Sequence, residues 1–288
     1  MNPSRISVSD GRTSFAAVYA ATVSCLQNVP SLRHVSREKI VQFGMDISIV
    51  ACGVRLGYLF DAFAVRDRRR TVKEVLTDCL SRLQKDILPF ANVCLVHDPT
   101  SDQLFFVNVH GFLNSSLSGS TIADKDVTFI SVKGSSAERC TTPPGLQTLF
   151  ADLVSLLSTN FELSTVLPED QRTRDLGTMV AFAACILEFP VAYVPTADGS
   201  GAFLAGVPLD VYECVLEVDT CRSVEVPDNH VMLKFSCPQD VARIEAELHP
   251  EAMIGRLQAL FETRLSKVAF PGRVSVHHSI ETLDRVAL

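Results

Sequence analysis

The sequence predicts a fold between α/β and α+β: a mixed, largely antiparallel sheet with helices packed on it, in a single compact domain. Three observations predict it. The elements run helix, strand, helix, three strands, two helices, four strands, helix, strand, an order with too few β-α-β alternations for a doubly wound parallel sheet. The segment near 176–187 is apolar nearly all round, so it needs cover from both sides and ties the two halves of the chain together. At 288 residues, 47% apolar and 20% charged, the chain can bury roughly 75% of its unfolded surface without disulfides or metals. Only 14 Gly and 14 Pro, with no repeat or low-complexity tract, exclude a collagen, a coiled coil or a disordered tail.

Residues 1–30 read as an N-terminal extension and 31–288 as the domain. Thr13 to Leu32 carries no charge and follows Arg5 and Arg12, but its apolar heart, Phe15 to Leu26, is too short and too weak to span a bilayer. No small-x-small cleavage site follows it. The segment is Ser-rich and nearly acid-free, the composition of a mitochondrial presequence, and Phe15, Val18, Tyr19 and Val23 share a helical face. The plainer reading is a first helix packed on the domain.

Ile40, Phe43, Ile47 and Val50 recur at three and four residues after Ser36, which predicts a helix ending near Gly53. Gly57-Tyr58-Leu59-Phe60 reads as a short buried strand running out at Asp61. Val72, Val75, Leu76, Cys79, Leu80, Leu83 and Ile87 match the helical template between Thr71 and Pro89. Val93–His97 and Leu104–Val107 flank Asp98-Pro99-Thr100-Ser101-Asp102, where Pro presets a turn, and so predict a β-hairpin. A polar loop from Asn114 to Asp124 leads to a strand at Val127–Val132. After Pro143-Pro144-Gly145 come helices on Leu146–Leu157 and Leu176–Leu187. Strands follow at Val191–Val194, Ala202–Leu204, Val211–Val218 and His230–Phe235, with a turn at Asp198–Gly201. A helical pair broken at His249-Pro250 and a strand at Arg273–Ile280 complete the order.

Several of these segments carry a resemblance: Gly53-Val54-Arg55-Leu56-Gly57-Tyr58-Leu59-Phe60-Asp61, Cys94-Leu95-Val96, Phe105-Phe106-Val107-Asn108, Leu187-Glu188-Phe189-Pro190-Val191-Ala192-Tyr193 and Leu204-Ala205-Gly206-Val207-Pro208-Leu209, with Thr282 to Leu288 at the end. In this order they resemble an uncharacterised eukaryotic family named after an open reading frame on human chromosome one and classed as a domain of unknown function. The resemblance spans roughly residues 38–288 and implies a eukaryotic source and an α/β-type domain. It lends no catalytic residues. The chain departs from the family at Glu188, where a glycine or other small residue is expected.

The nine cysteines form no C-x-x-C pair and sit mostly in apolar runs, which points to reduced core thiols and a cytoplasmic protein. The alternative is mitochondrial, through residues 1–30. Net charge is −7; residues 1–40 hold three positive charges in excess, leaving −10 for the rest, so nucleic-acid binding has no electrostatic basis. No metal site, cofactor motif, G-x-S-x-G, H-E-x-x-H or P-loop is present. Gly199-Ser200-Gly201 precedes a strand, not a helix, and so reads as a hairpin turn. His277 and His278 are neighbours on a strand and point to opposite faces. Cys140, in a polar loop, is the cysteine expected to be exposed and of lowered pKa.

By elimination, the leading expectation is a non-catalytic module that binds a protein partner, with the apolar Leu104–Val107 hairpin strand as the offered edge. The competing expectation is an enzyme acting on a small phosphorylated metabolite. It would use Asp61, His97 and Asp98 at strand ends, with Arg66, Arg68, Arg69 and Arg70 holding the phosphate. That site requires the strands ending at Asp61 and His97 to be parallel neighbours joined by a right-handed crossover through the 71–88 helix. The ordinary reading of Asp98 before Pro99 is turn chemistry, and that of the arginines a solvated helix start. A retained pocket without activity lies between the two.

Overall fold

The computed structural model describes residues 14–67, 69–117, 127–159, 162–169, 175–196, 203–218, 227–284 and 286. The turn expected at 198–201, Arg68 and Cys221 lie outside them. Among the described residues eight α-helices pack with three mixed or antiparallel sheets, an α+β fold. The one mixed sheet expected from the sequence is divided into three.

The first sheet has the order β1-β3-β2-β6, formed by β1 (Gly57–Leu59), β2 (Val93–Asp98), β3 (Gln103–Asn108) and β6 (Ser164–Val166). β3 runs antiparallel to both β1 and β2, so β1 and β2 are parallel with β3 inserted between them, and β6 joins β2 in parallel. This split β-α-β unit corrects the sequence expectation that β1 and β2 are direct neighbours. Both faces are covered. Val93, Leu95, Leu104 and Phe106 face one cluster with α1 (Phe15–Gln27), α2 (Arg37–Ala51) and α3 (Val72–Asp86). Cys94, Val96, Phe105 and Val107 face another, with α4 (Val109–Leu117), α5 (Pro144–Thr159) and α6 (Leu176–Ile186). Burial on two sides explains why these strands read as continuous apolar runs.

The second sheet, β5-β4-β7, pairs β4 (Thr128–Lys133) antiparallel with β5 (Ser136–Arg139) and parallel with β7 (Val191–Pro195). The third, β10-β8-β9, is antiparallel throughout: β8 (Pro208–Val218) lies between β9 (Asn229–Pro238) and β10 (Gly272–Thr282). The short α7 (Gln239–Ala242) and the long α8 (Pro250–Leu265) complete the chain. The strand expected at 202–204 is a single bridge, Phe203 to Val286, and Leu204 is left-handed there with φ 55°.

Local chemistry sets the element ends. The Thr71 hydroxyl accepts from the Glu74 amide while the Glu74 carboxylate accepts from the Thr71 amide, a capping box that starts α3. Ser36 caps α2 and Asp175 caps α6. At Gly57 a Cβ would lie 2.5 Å from Ile186 Cγ2, so glycine is what lets β1 meet the end of α6.

The helix expected to be central is so: Met179, Ala181, Phe182, Ala184, Cys185 and Ile186 of α6 are buried. α1 is core as well. Phe15 and Tyr19 pack with the third sheet and α8, while Val18 and Leu26 pack with α2 and α3. Phe15, Val18, Tyr19, Leu26 and Val29 thus belong to the folded body, within the stretch the sequence reading assigns to a 1–30 extension. Phe43 of α2 anchors the second cluster, with ring centroids 5.4 to 6.0 Å from Tyr58, Phe60, Phe63 and Phe106. Such pairs add about 0.5–1.5 kcal/mol each beyond area burial.

Candidate functional site

The three strand-end residues do not converge. The Asp98 carboxylate, fully buried, accepts from the Thr100 and Ser101 amides at 3.1 Å and from the Ser101 hydroxyl, closing the hairpin turn. His97 projects to the opposite face, where Nε2 lies 3.1 Å from the exposed Asp102 carboxylate. Asp61 sits beyond β1 and meets the Tyr58 hydroxyl at 3.4 Å. Phe60 donates to the Leu104 carbonyl and Asp98 pairs with Gln103. Asp61 and Asp98 are thus about 9–10 Å apart in backbone, two strand steps across β3. One carboxylate is committed to a turn and the other to the Tyr58 hydroxyl. Metal ligands sit roughly 2 Å from their ion, and no group of three ligating side chains exists among the described residues.

Of the described arginines, Arg70 has its guanidinium engaged by its own helix. Arg70 reaches Asp78 at 3.5 Å and the Glu74 carbonyl at 2.8 Å, tying the loop to the first turn of α3. The backbone amides of Arg66 and Arg69 donate to His34 and Asp67, and Asp67 also accepts from Ser31 at 2.8 Å. The cluster fastens loop 61–71 to the 30–34 turn.

None of the described cysteines has a lowered thiol pKa. Burial pushes the thiols of Cys52, Cys79, Cys94, Cys185, Cys214 and Cys237 up to about 12. Cys140 is only half-buried, yet desolvation raises its pKa as well, opposite to the lowering expected from its polar sequence neighbours. All eight described cysteines are free.

The sheet edges differ from one another. The Leu104–Val107 strand, expected to offer an edge, lies inside the first sheet with both neighbours paired, which corrects that expectation. On the free side of β9, Cys214 pairs with Leu233 but Val215 with Val231, so Met232 is the extra residue of a bulge. The buried Arg55 donates from Nη1 to the Met232 carbonyl and from Nη2 to the Leu187 carbonyl at 3.0 Å. Two residues before Met232, His230 Nε2 lies 2.8 Å from the Asp46 carboxylate of α2. Bulge, arginine and helix together close this edge.

β10 has none of these devices. All eleven of its residues pair in unbroken register with β8, and no strand among the described residues lies on its other side. It contains no Lys, no Pro and no bulge. Gly272 starts it where a Cβ would lie 1.9 Å from the Glu217 carbonyl oxygen. Val274 is buried beneath α8, whereas Ile280, on the same face, is 58% exposed. On the solvent face Arg273 bonds Glu217 at 2.6 Å and Ser275 meets His277 at 3.0 Å. The two histidines point to opposite faces as expected, and His278 is the one that turns inward, with Nε2 2.8 Å from the buried Asp210 carboxylate and its ring 5.1 Å from that of Tyr212. The sequence places a strand here but says nothing of its position in the sheet, so the open edge was not legible.

Against protein-family models, curated proteins and solved structures, the chain finds no match.

Proposed function

We propose that this chain acts by binding a protein partner, without catalysis, and that β10 is the strand it presents. The carrying observation is the eleven-residue edge free of Lys, Pro and bulges. Folded proteins blunt such edges unless another chain covers them, because a row of unpaired amides and carbonyls recruits a strand. The exposed Ile280 and Leu283 at its end supply apolar contact. The charge of −7 favours a protein over nucleic acid as partner.

The reading extends to family and compartment. At Glu188, where the chain departs from the family it resembles, the backbone has a φ of 59°, a geometry in which the expected glycine is at ease. Eight free thiols, most of them buried, support a reducing cytoplasm. Among the described residues no helix is long and apolar enough to cross a membrane. The place of α1 in two clusters weighs against loss of the first thirty residues on mitochondrial import.

A photo-cross-linking side chain at Ser279, on the exposed part of β10, tests the site in cells. A protein adduct is expected there and not at Ile244, another exposed residue, on the loop after α7. Absence of an adduct at Ser279, or equal adducts at both positions, would refute β10 as the binding edge.

A further inference from the structure

Resting on the reading of β10 as the interaction edge, we infer that its occupant is a second copy of this chain, paired antiparallel about a two-fold axis at His277. The strand sequence is self-complementary. Folding it back on itself about His277 sets Arg273 against the partner's Glu281, Val274 against the partner's Ile280, Ser275 against the partner's Ser279, and Val276 against the partner's His278.

Directly opposed residues in an antiparallel pair point to the same face with Cβ atoms about 4.5–5.5 Å apart. Arg273 and Glu281 are on the solvent face, as are Ser275, Ser279 and His277, so the ion pairs form on the wet side. Val274, Val276 and Ile280 lie on the face that carries the core. There the exposed Ile280 gains the partner's Val274 as neighbour and continues the apolar layer under α8 across the axis. Opposite charges and branched apolar pairs at facing positions are the units that stabilise a ladder.

The register is specified. His277 is the midpoint of Gly272–Thr282, so this axis pairs all eleven residues. Moving the axis to Val276 or His278 sets Arg273 against the partner's Ser279 or Leu283, leaves Glu281 unmatched and shortens the ladder. The result is a six-stranded continuous sheet in the order β9-β8-β10-β10-β8-β9, closed at both ends by the bulge at Met232 and the Arg55 contact. An isologous two-fold pairing of this kind terminates itself, so the open edge makes dimers and not fibres.

The full-length chain provides the test. Its native mass at about 50 µM is expected to be twice the chain's 31.5 kDa. His277→Lys keeps the fold, because position 277 is exposed and faces Glu213 of its own β8, but it opposes two ammonium groups at the axis. It is expected to return the mass to that of one chain with unchanged circular dichroism, and with a melting temperature that no longer rises with protein concentration. Under mild oxidation His277→Cys is expected to cross-link two chains, since directly facing strand positions fall within disulfide reach. Arg273→Cys alone is expected not to, and adding Glu281→Cys to it restores the cross-link. A wild-type monomer at this concentration would overturn the inference, as would Arg273→Cys linking as readily as His277→Cys. An adduct at Ser279 to a different protein, with none to a second copy, would overturn self-pairing and leave the binding edge standing.

Discussion

Glu188 shows how one residue can carry both strain and its compensation. It is held in the left-handed region, which costs a non-glycine side chain about 1–2 kcal/mol, at the corner between α6 and β7. Its carboxylate accepts from the Leu56 amide at 2.7 Å and from both Arg264 terminal nitrogens at 2.7 and 3.0 Å, and Arg264 also donates to the Val54 carbonyl. Glu188→Ala removes the pair and keeps the strain, whereas Glu188→Gly removes both. The glycine variant should therefore be the more stable of the two by about 1 kcal/mol in urea unfolding. Equal midpoints would show that the backbone there is unstrained. Six buried thiols give a second expectation. Each has a folded pKa near 12 against an ordinary 9.0, so between these values the unfolded chain holds fewer protons than the native one. Their contribution is complete below about pH 9 and is lost as pH rises toward 12, at up to about 1.4 kcal/mol per unit per thiol. Thiolate ultraviolet absorbance beyond that of Cys25, Cys140 and Cys221 should appear only as the protein unfolds in this window; more than three thiolates before unfolding would mean these six are accessible. Reduced core cysteines were legible from their apolar neighbours. Arg55, Glu188 and Arg264 were not, since their partners are 76 to 210 residues away in sequence.

At the level of elements, periodicity carried the helices well because the apolar stripe is a local record of which face is buried. α2, α3, α5, α6 and α8 lie where the spacing predicts them. β5 and β6 escaped notice for the opposite reason: Ser136–Arg139 and Ser164–Val166 are short, half-exposed edge strands with no alternation to read. The two sides of α3's start can be separated by Thr71→Ala, which removes the hydroxyl from the capping box and should cost about 1 kcal/mol in chemical unfolding. α1 is the sharper case. Its sequence fits a presequence as well as the plainer packed helix, and the position of Phe15, fully buried with its ring 5.0 Å from Phe270, favours the second. Phe15→Ala is expected to destabilise the protein by about 3–5 kcal/mol. A loss below about 1 kcal/mol would show that α1 is dispensable to the core.

The whole molecule is organised by where its strands stop pairing. The first sheet is roofed on both faces, and the insertion of β3 between β1 and β2 separates the two carboxylates that the sequence made into a catalytic pair. Strand order is set by contacts distant in sequence, so neither that insertion nor the terminal place of β10 could be read from residue patterns. What the chain does encode locally is the self-complementary run from Gly272 to Thr282. Concentration-dependent hydrogen exchange follows the consequence directly. Raising the full-length protein from about 0.5 to about 50 µM should slow exchange of alternate β10 amides, those directed away from β8, at least tenfold, and leave β8 and β9 unchanged. β10 amides that exchange at the same rate across that range would contradict pairing through this edge.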